Sequence, residues 1–205
     1  MSEGQSFEQP HEVPAQPRVD FRSVLENGEI ESAETLEGYF PIKTVQIKDD
    51  GKALFKPTSQ NKDLDSKNFL RADLELLAAQ IDKILGFDLV PPIVARSIEN
   101  KDGVLQSFAE DAKPAVSLSK DWVGLVNKSE LVNAAIFDYL IGTPERHKGN
   151  FLINSKTGKI WLIDHDYLSL VGGGITVQCI LWAALDEGPI KLSDDIQTKL
   201  RALLT

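Results

Sequence analysis

One stretch, from Phe137 to Tyr167, constrains the fold of this chain more than any other. It passes from the end of an apolar helix through a polar loop at 143–150 into an apolar strand, a turn, a second apolar strand and an acidic loop. It also holds two of the three histidines in the chain. Because buried elements hold such a loop at both ends, its side chains can keep a fixed geometry, as a reactive site requires. We therefore expect this stretch to form one wall of a functional site, with the upstream segments forming the other.

The upstream segments include a predicted β-hairpin. Two runs of alternating residues, 44–48 and 52–56, flank an Asp-Asp-Gly turn, and this arrangement is typical of a hairpin. Ala53 and Phe55 share one face of the second strand, so Lys56 is expected to project from the opposite face. A lysine at the end of a strand is often simply solvated, and the pattern alone assigns it no role.

A helix is predicted over Ser66–Leu85, with Ser66 as a candidate N-cap and Gly86 at the expected C-cap. Its apolar residues recur at alternating steps of four and three and form a single stripe: Leu70, Leu74, Leu77, Ile81 and Ile84. Glu75 falls well off this stripe. The pattern therefore leaves two interpretations of Glu75 open, a solvated carboxylate and a functional group.

The order of the predicted elements indicates an α+β fold with two lobes. Strand runs at 89–96 and 103–108 join the hairpin and the first helix, and the later segments are mainly helical. Segregation of strands and helices along a chain is typical of this class. The loop at 110–120 is the candidate boundary, so we expect an N-lobe over 31–110 and a C-lobe over 111–205.

The C-lobe is predicted to hold three helices and a short hairpin. The first helix, Ser129–Leu140, ends at Gly142. Its expected buried face consists of Leu131, Val132, Ala135, Ile136, Tyr139 and Leu140. Two further helices are expected at 175–186 and 193–204.

Residues 1–30 differ from the rest of the chain in composition. They carry Glu, Gln and Ser, three prolines at Pro10, Pro14 and Pro17, and few apolar side chains to bury. We expect them to form a disordered or loosely docked N-terminal arm, with residues 31–205 as a single two-lobed domain.

Composition excludes several classes of function. The formal net charge is −9 and the pI is about 4.9, which disfavours a nucleic-acid partner because phosphate backbones bind basic surfaces. A single cysteine, Cys179, excludes an intramolecular disulfide framework and a cysteine zinc site. No apolar run is long enough to span a membrane, and no signal-peptide pattern opens the chain. We therefore expect a cytoplasmic protein with no integral membrane segment.

Five polar residues are spaced as phosphoryl transfer from ATP would require. In such sites a lysine fixed by a glutamate holds the phosphates, and an asparagine and an aspartate bind Mg²⁺ through oxygen atoms. Glu145 and Asn150 stand five residues apart, which is the spacing of a kinase catalytic loop, and Asp164 follows an apolar strand. Lys56 on a strand and Glu75 on the next helix complete the set. The combination, rather than any one residue, predicts a site for ATP and Mg²⁺.

The sequence around these residues resembles a known group of kinases. Residues 142–152, Gly-Thr-Pro-Glu-Arg-His-Lys-Gly-Asn-Phe-Leu, and 160–165, Ile-Trp-Leu-Ile-Asp-His, resemble the signature of the phosphatidylinositol 3-/4-kinase-like superfamily, above all its small bacterial members. Upstream runs resemble the same members: Ala53-Leu-Phe-Lys56-Pro, Glu75-Leu-Leu-Ala-Ala and Leu85-Gly-Phe-Asp-Leu-Val-Pro-Pro. The HipA-type toxin kinases are a more distant relation of the same kind.

The resemblance implies a role for each position. Lys56 would contact the ATP phosphates and pair with Glu75, whereas Asn150 and Asp164 would bind Mg²⁺. His147 would lie near the γ-phosphate, as an acid/base group or as a stabiliser of charge. Three residues at the interlobe hinge would lie beside the adenine: Gln106, Ser107 and Phe108.

The resemblance also implies a fold and a reaction. The fold would be a minimal two-lobed protein-kinase-like fold, with an antiparallel sheet and a helix in the N-lobe and a short catalytic hairpin in a mostly helical C-lobe. The reaction would transfer the γ-phosphate of ATP to a hydroxyl acceptor, which could be a lipid, a protein or a small molecule. The short segment after Asp164 leaves room only for a small acceptor site or for one supplied by a partner.

Three positions depart from the signature. Glu145 stands where the superfamily has aspartate, Thr143 where it has asparagine, and Asp166 where it has glycine. The additional methylene of Glu145 would shift its carboxylate by about 1 Å, and a misplacement of that size can cost about 100-fold in rate. The chain also lacks a recognisable glycine-rich phosphate loop, although the run that starts at Gly38 could take that place.

Two alternatives to an active kinase therefore stay open. A degenerate member, or pseudokinase, would keep the fold and bind nucleotide but act as a regulatory or protein-interaction module. Glu145 favours this alternative. The presence of all four other polar residues favours the active enzyme. A metallohydrolase is the third class, with ligands from His147, Asp164, His165 and Asp166.

Overall fold

The computed structural model describes residues 21–37, 41–48, 51–58, 71–118, 120–143, 145–165, 178–185 and 192–202. The helices are α1 (Phe21–Asn27), α2 (Ala72–Leu85), α3 (Lys128–Ile141), α4 (Ile180–Ala183) and α5 (Asp194–Ala202). The strands are β1 (Ile30–Thr35), β2 (Lys43–Ile47), β3 (Gly51–Pro57), β4 (Ile93–Ile98), β5 (Lys101–Ser107), β6 (Lys113–Pro114), β7 (Glu145–Arg146), β8 (Phe151–Asn154), β9 (Lys159–Leu162) and β10 (Gln178–Cys179). Two short 3₁₀ helices, Ala115–Ser117 and Trp122–Leu125, lie between β6 and α3.

The N-lobe is built on a five-stranded antiparallel sheet with the order β1-β2-β3-β5-β4. The predicted hairpin is β2–β3, and its register pairs Val45 with Ala53. Because side chains alternate along a strand, the same face of β3 carries Ala53 and Phe55 while Lys56 lies on the other. We call the face with Phe55 the outer face and the face with Lys56 the inner face.

Helix α1 covers the outer face of the sheet. Its Leu25 is buried in a cluster with residues of β2 to β5, including Phe55 and Leu105. The Arg96 guanidinium of β4 donates hydrogen bonds of 2.6 Å to the backbone oxygens of Leu25 and Gly28, at the end of the helix. The sequence places these residues in a disordered or loosely docked arm; over 21–27 the structure has a packed helix instead, and residues 1–20 lie outside the described part.

Helix α2 lies against the inner face, and its orientation differs from the sequence prediction. The expected apolar stripe includes Ile84, but this side chain is 52% exposed. The buried residues are instead Ala72, Glu75, Ala78, Asp82 and Leu85. The reason is that α2 also packs against the C-lobe core, so the side chains buried there include two carboxylates that find partners in other elements.

The C-terminal end of α2 agrees with the prediction. Gly86 has a left-handed φ of +67° and its N–H donates to the backbone oxygen of Asp82, which closes the helix as expected. The helix begins at Ala72, and Ser66, the expected N-cap, lies outside the described residues.

The C-lobe core surrounds helix α3. This helix ends at Gly142, whose φ of +62° is left-handed, as the sequence predicts. One residue of its expected buried face, Tyr139, is 67% exposed, because Phe137 and Asp138 of the same turn face the interior instead. The hairpin β8–β9 packs on this core, where Phe151 makes an edge-to-face contact with Trp122.

The C-terminal helices are shorter in the structure than in the prediction. Helix α4 covers Ile180–Ala183 and α5 covers Asp194–Ala202. Within the helix expected at 175–186, residues 178–179 form the strand β10 instead, and residues 184–185 follow the end of α4. Residues 166–177, 186–191 and 203–205 lie outside the described part. In the part that is described, no helix combines the length and the apolar content needed to cross a membrane.

The two lobes meet through backbone and side-chain contacts near the start of β4 and at β9. The Leu162 N–H donates to the Leu89 backbone oxygen at 2.8 Å. The Lys159 ammonium lies 3.4 Å from carboxylate oxygens of both Asp88 and Glu130. The predicted α+β architecture with an N-terminal antiparallel sheet and helix, and a C-terminal lobe built mainly on helices, is confirmed.

Candidate active site

Lys56 lies at the end of β3, on the inner face of the sheet. Its register partner on β5 is Val104, which is buried with Ile93 and Ala72 in the layer between the sheet and α2. The neighbouring Gly103 allows β5 to approach closely, since a Cβ at that position would lie 2.4 Å from the Lys56 backbone oxygen. Lys56 is only 6% exposed, so its charge requires a partner.

Glu75 of α2 supplies that partner. The Lys56 ammonium donates a hydrogen bond to Glu75 Oε1, and the Glu75 residue is 1% exposed. Burial on its own raises the pKa of Glu75, but the charge of Lys56, together with the polar contact with His165, outweighs it and holds the pKa well below its ordinary value. Glu75 is therefore an ionised, buried carboxylate, which excludes the solvated interpretation.

Asp164 approaches the same pair from the C-lobe. Its Oδ1 lies 3.6 Å from Lys56 Nζ, and its side chain is 45% exposed. Its φ is +65°, a left-handed conformation that a residue other than glycine adopts infrequently. Three charged residues, each from a different segment of the chain, thus converge at one point between the lobes.

A buried arginine holds the two loops of the C-lobe part of the site together. The Arg146 guanidinium donates to the backbone oxygens of Asn150 at 2.6 Å and Ile163 at 2.8 Å. It also pairs with both carboxylate oxygens of Asp138 on α3, over 2.8–3.2 Å. Arg146 therefore sets the spacing between Asn150 and the segment that carries Asp164.

Sequence reasoning includes Arg146 in the motif but assigns no role to it or to Asp138. An available signal is the position of Asp138 inside a helix turn otherwise made of apolar residues, because a buried carboxylate requires a charged partner. Nothing in the spacing indicates that this partner is Arg146, eight residues further along.

His147 and Asn150 lie on the same turn. The Asn150 N–H donates to the His147 backbone oxygen at 3.0 Å, and the Ile163 N–H donates to the Asn150 backbone oxygen at 3.1 Å. The His147 side chain is exposed. Its Nδ1 accepts a hydrogen bond of 3.1 Å from the Gly149 N–H. A neutral imidazole that accepts at Nδ1 carries its proton on Nε2, so the free end of His147 is a hydrogen-bond donor.

Three residues expected beside the adenine lie at and just beyond the end of β5. Gln106 pairs in register with Leu54, two residues before Lys56, so it lies on the inner face. It is 2% exposed, and its Nε2 has no hydrogen-bond partner among the described residues. The Ser107 N–H donates to the backbone oxygen of Pro92. The half-exposed Phe108 donates its N–H to the backbone oxygen of Lys52.

His165 lies in the interior. The sequence predicts a role for it only as a metal ligand in the metallohydrolase alternative. Its ring is fully buried and makes an edge-to-face contact with Phe137 of α3 at 5.9 Å. Its Nδ1 lies 3.4 Å from Glu75 Oε2. Burial lowers the pKa of His165 more than the nearby carboxylate of Glu75 raises it. The imidazole is therefore neutral at pH 7.

Two oxygen-bearing side chains could hold a divalent cation. Arg146 binds the backbone of Asn150 and of Ile163, the residue before Asp164, and so holds the two residues on neighbouring segments. The Asn150 amide and the Asp164 carboxylate both supply the oxygen atoms that Mg²⁺ prefers. Glu145 contributes its backbone to β7, which pairs with β10, but its side chain lies outside the described part. Asp166 lies outside it as well.

A metallohydrolase site would need a cluster of ligands. In the ranges that the structure describes, no group of three or more His, Cys, Asp or Glu side chains could hold a metal ion. His165 faces Glu75 and Phe137 in the interior rather than the exposed side of Asp164. The geometry therefore offers this third class no observation in its favour.

Comparison with known proteins shows the fold. No protein-family model and no curated protein matches the sequence. Among solved structures, the chain is similar to the Golgi casein kinase with Mn and ADP bound, at 18% identity and a TM-score of 0.50. A further structure of the Golgi casein kinase has 17% identity and a TM-score of 0.49. In both cases the match covers 88% of this chain and 60% of the other.

The likeness to the Mn- and ADP-bound structure supports a kinase-like, two-lobed fold for this chain. It supports neither the phosphatidylinositol 3-/4-kinase-like group nor the HipA-type group in particular. This chain spans about three fifths of the length of the solved structures that it matches.

Proposed function

We propose that this protein is an ATP- and Mg²⁺-dependent phosphotransferase that transfers the γ-phosphate of ATP to a hydroxyl acceptor. One observation carries the proposal: Lys56 is buried in an ion pair with Glu75 and lies 3.6 Å from Asp164. Burying a lysine and a glutamate costs solvation energy that a purely structural role does not require, because an apolar pair of similar size is often as stable. A phosphate-binding role does require it.

Different residues of the site would bind the phosphates and the metal ion. Lys56, oriented by Glu75, would bind the ATP phosphates. Asn150 and Asp164 would hold Mg²⁺, which when bound would offset the negative charge of the phosphate oxygens. The Arg146 guanidinium, through its contacts with the backbone at Asn150 and beside Asp164, would keep the two ligands at a constant separation.

His147 fits the role of charge stabiliser better than that of base. Its Nδ1 accepts from the Gly149 N–H, so the ring proton lies on Nε2, and the residue is exposed. A donor of this kind can bind an oxygen of the transferred phosphate. Glu145 would then position the acceptor hydroxyl, at the place where related kinases use aspartate.

The nucleotide base would lie at the end of β5. Gln106 is on the inner face with Lys56, and the half-exposed Phe108 follows directly after the strand. These two residues and Ser107 would contact the adenine. A relation to the phosphatidylinositol 3-/4-kinase-like superfamily is part of the proposal and rests on the sequence motif. The acceptor can be a lipid, a protein or a small molecule.

One sequence feature favours the alternative of a catalytically degenerate regulatory module. Glu145 replaces the aspartate of related kinases. In that case the same residues would bind MgATP, but the acceptor hydroxyl would not be held in line.

Binding is tested by thermal unfolding with and without MgATP. We expect saturating MgATP to raise the melting temperature of the wild type, since a ligand that binds only the folded state stabilises it. Asp164→Ala should abolish the rise. Asp195→Ala, which removes an exposed carboxylate on α5, is the matched control and should keep it. A wild type that shows no rise contradicts both the kinase and the pseudokinase proposals.

Turnover separates the two proposals. We expect the wild type to hydrolyse ATP or autophosphorylate, and Glu145→Gln to lose this activity. If the wild type binds MgATP without turnover and Glu145→Asp gains turnover, the protein is the regulatory module.

A further inference from the structure

The most unusual polar group outside the proposed phosphate and metal contacts is the imidazole of His165. It is fully buried, and within the described structure neither ring nitrogen has a hydrogen-bond partner. Glu75 Oε2 is likewise buried and without such a partner in this part of the chain. Unpartnered buried polar groups destabilise a fold, so each one calls for an explanation. Here two of them, His165 Nδ1 and Glu75 Oε2, face each other at 3.4 Å.

The position of His165 connects the two lobes. Glu75 belongs to α2 and contacts Lys56 through Oε1, which leaves Oε2 for His165. His165 directly follows Asp164, whose Oδ1 is 3.6 Å from Lys56 Nζ. The four residues therefore form a continuous set of contacts. Glu75 contacts Lys56 and His165, and Asp164, the chain neighbour of His165, lies beside Lys56. The Phe137 ring of α3 supports the imidazole from the C-lobe side.

The contact between the two residues is almost a hydrogen bond. The two atoms are 3.4 Å apart, but they lack the alignment of a hydrogen bond. A small rotation of the ring or of the carboxylate would align the two groups. Contacts within active sites are often long in the absence of ligand and shorten once it binds.

We propose that His165 is a positioning residue that donates a hydrogen bond from Nδ1 to Glu75 Oε2, and so holds Glu75 and Lys56 in place when nucleotide and metal draw Lys56 and Asp164 together. This inference rests on the proposed function, because its purpose is to align Lys56 with the phosphates. It explains why a polar ring occupies an interior position where an apolar ring would fit.

The proposal predicts that stability and binding change in opposite directions in His165→Phe. Phenylalanine keeps a ring against Phe137 but removes both buried nitrogens, so the melting temperature of the ligand-free protein should be unchanged or higher. The dissociation constant for a Mg²⁺ complex of an ATP analogue with a non-hydrolysable β–γ bond should rise about tenfold, as expected for the loss of a hydrogen bond to a charged group. Calorimetry measures the binding.

His165→Asn reverses the pattern. The asparagine amide nitrogen can take the place of Nδ1, whereas the smaller side chain leaves a cavity beside Phe137. We therefore expect this variant to unfold at a lower temperature than His165→Phe and yet bind the analogue more tightly. A residue with a purely structural role would show binding that follows stability in both variants.

The partner is identified by a double-mutant cycle. In a Glu75→Met background, which offers no oxygen to accept from Nδ1, His165→Phe should change the dissociation constant by less than about twofold. Ile98→Val serves as the control: it trims the core on the outer face of the sheet, so it should lower the melting temperature and leave binding unchanged.

Each outcome decides the matter. Wild-type binding by His165→Phe, or an equal loss in the Glu75→Met background, overturns the role of His165 and leaves the proposed function intact. A wild type that does not bind the analogue at all overturns both.

Discussion

The ion pair of Lys56 and Glu75 determines how single residues of the site respond to substitution. Both side chains are buried, and each is the main counter-charge of the other. The depressed pKa of Glu75 means that its ionised form stabilises the folded state at neutral pH. This contribution is present above the ordinary carboxyl pKa and is lost as the pH falls towards the lower folded-state value. Removing one partner therefore has a larger effect on stability than removing both.

Lys56→Met is expected to lower the free energy of unfolding by about 3 kcal/mol at pH 7, because it leaves the Glu75 carboxylate buried without its main counter-charge. The double variant Lys56→Met/Glu75→Gln should recover part of that loss. Urea unfolding without ligand measures both. If the double variant is less stable than Lys56→Met, the cost does not arise from an unpaired carboxylate. Neither variant should bind MgATP.

At the scale of secondary-structure elements, α2 is held at its C-terminal end by a buried carboxylate. Asp82 Oδ2 accepts hydrogen bonds from the N–H groups of Leu89 at 2.8 Å and Val90 at 2.9 Å. Burial raises the pKa of Asp82 to about 6 in spite of these two bonds. The folded state therefore binds this proton more tightly than the unfolded state does.

The sign of the pH dependence of Asp82 follows from this raised pKa. Its contribution to stability is fully present below the ordinary pKa of about 4 and is lost as the pH rises through about 6. Asp82→Asn keeps an acceptor for both N–H groups and removes the titration. The stability of Asp82→Asn relative to the wild type should therefore increase between pH 4 and pH 7.

Urea unfolding at several pH values measures this difference. Glu31→Gln, a change of an exposed carboxylate on β1, is the matched control. A flat difference for Asp82→Asn would mean that the Asp82 pKa is not raised.

At the scale of the whole molecule, the sheet separates two layers with different tasks. The outer face is covered by α1 and is apolar, with Leu25 buried against Phe55 and Leu105. The inner face carries Lys56 and faces α2 and the C-lobe. Because the buried residues of the two faces belong to separate clusters, we expect changes in the outer layer to lower stability without altering the inner face.

Leu25→Ala tests this separation. The substitution should lower the free energy of unfolding by about 2–5 kcal/mol through the cavity it leaves, while the dissociation constant for MgATP stays within about twofold of the wild type. Phe21→Ala on the same helix removes a half-exposed ring and should have a small effect on stability. A large loss of affinity in Leu25→Ala would show that the two layers are coupled.

The sequence predicts local features well where one short-range rule controls them. The period of two in β3 placed Lys56 opposite Phe55, and the structure confirms this. The ends of α2 and α3 are marked by Gly86 and Gly142, because only glycine takes the left-handed conformation there without strain. The two-lobed α+β class follows from the order of the elements. The roles of Lys56, Glu75, Asn150 and Asp164 in binding ligands stay predictions.

The sequence by itself therefore determined the hairpins, the helix ends, the two lobes and the order of the candidate site residues along the chain. Only the tertiary structure decided which faces of the elements are buried. The predicted apolar stripe of α2 was wrong at Ile84, which is exposed, and it missed Glu75 and Asp82, which are buried. The reason is that this helix is enclosed on two sides, where Lys56 and the backbone at Leu89 and Val90 meet the two carboxylates. The contacts of Arg146 with Asp138, and of His165 with Glu75, have the same origin. These residues contact each other only because of how the tertiary structure packs. Hydrophobic periodicity carries no information about the partners of a buried charge.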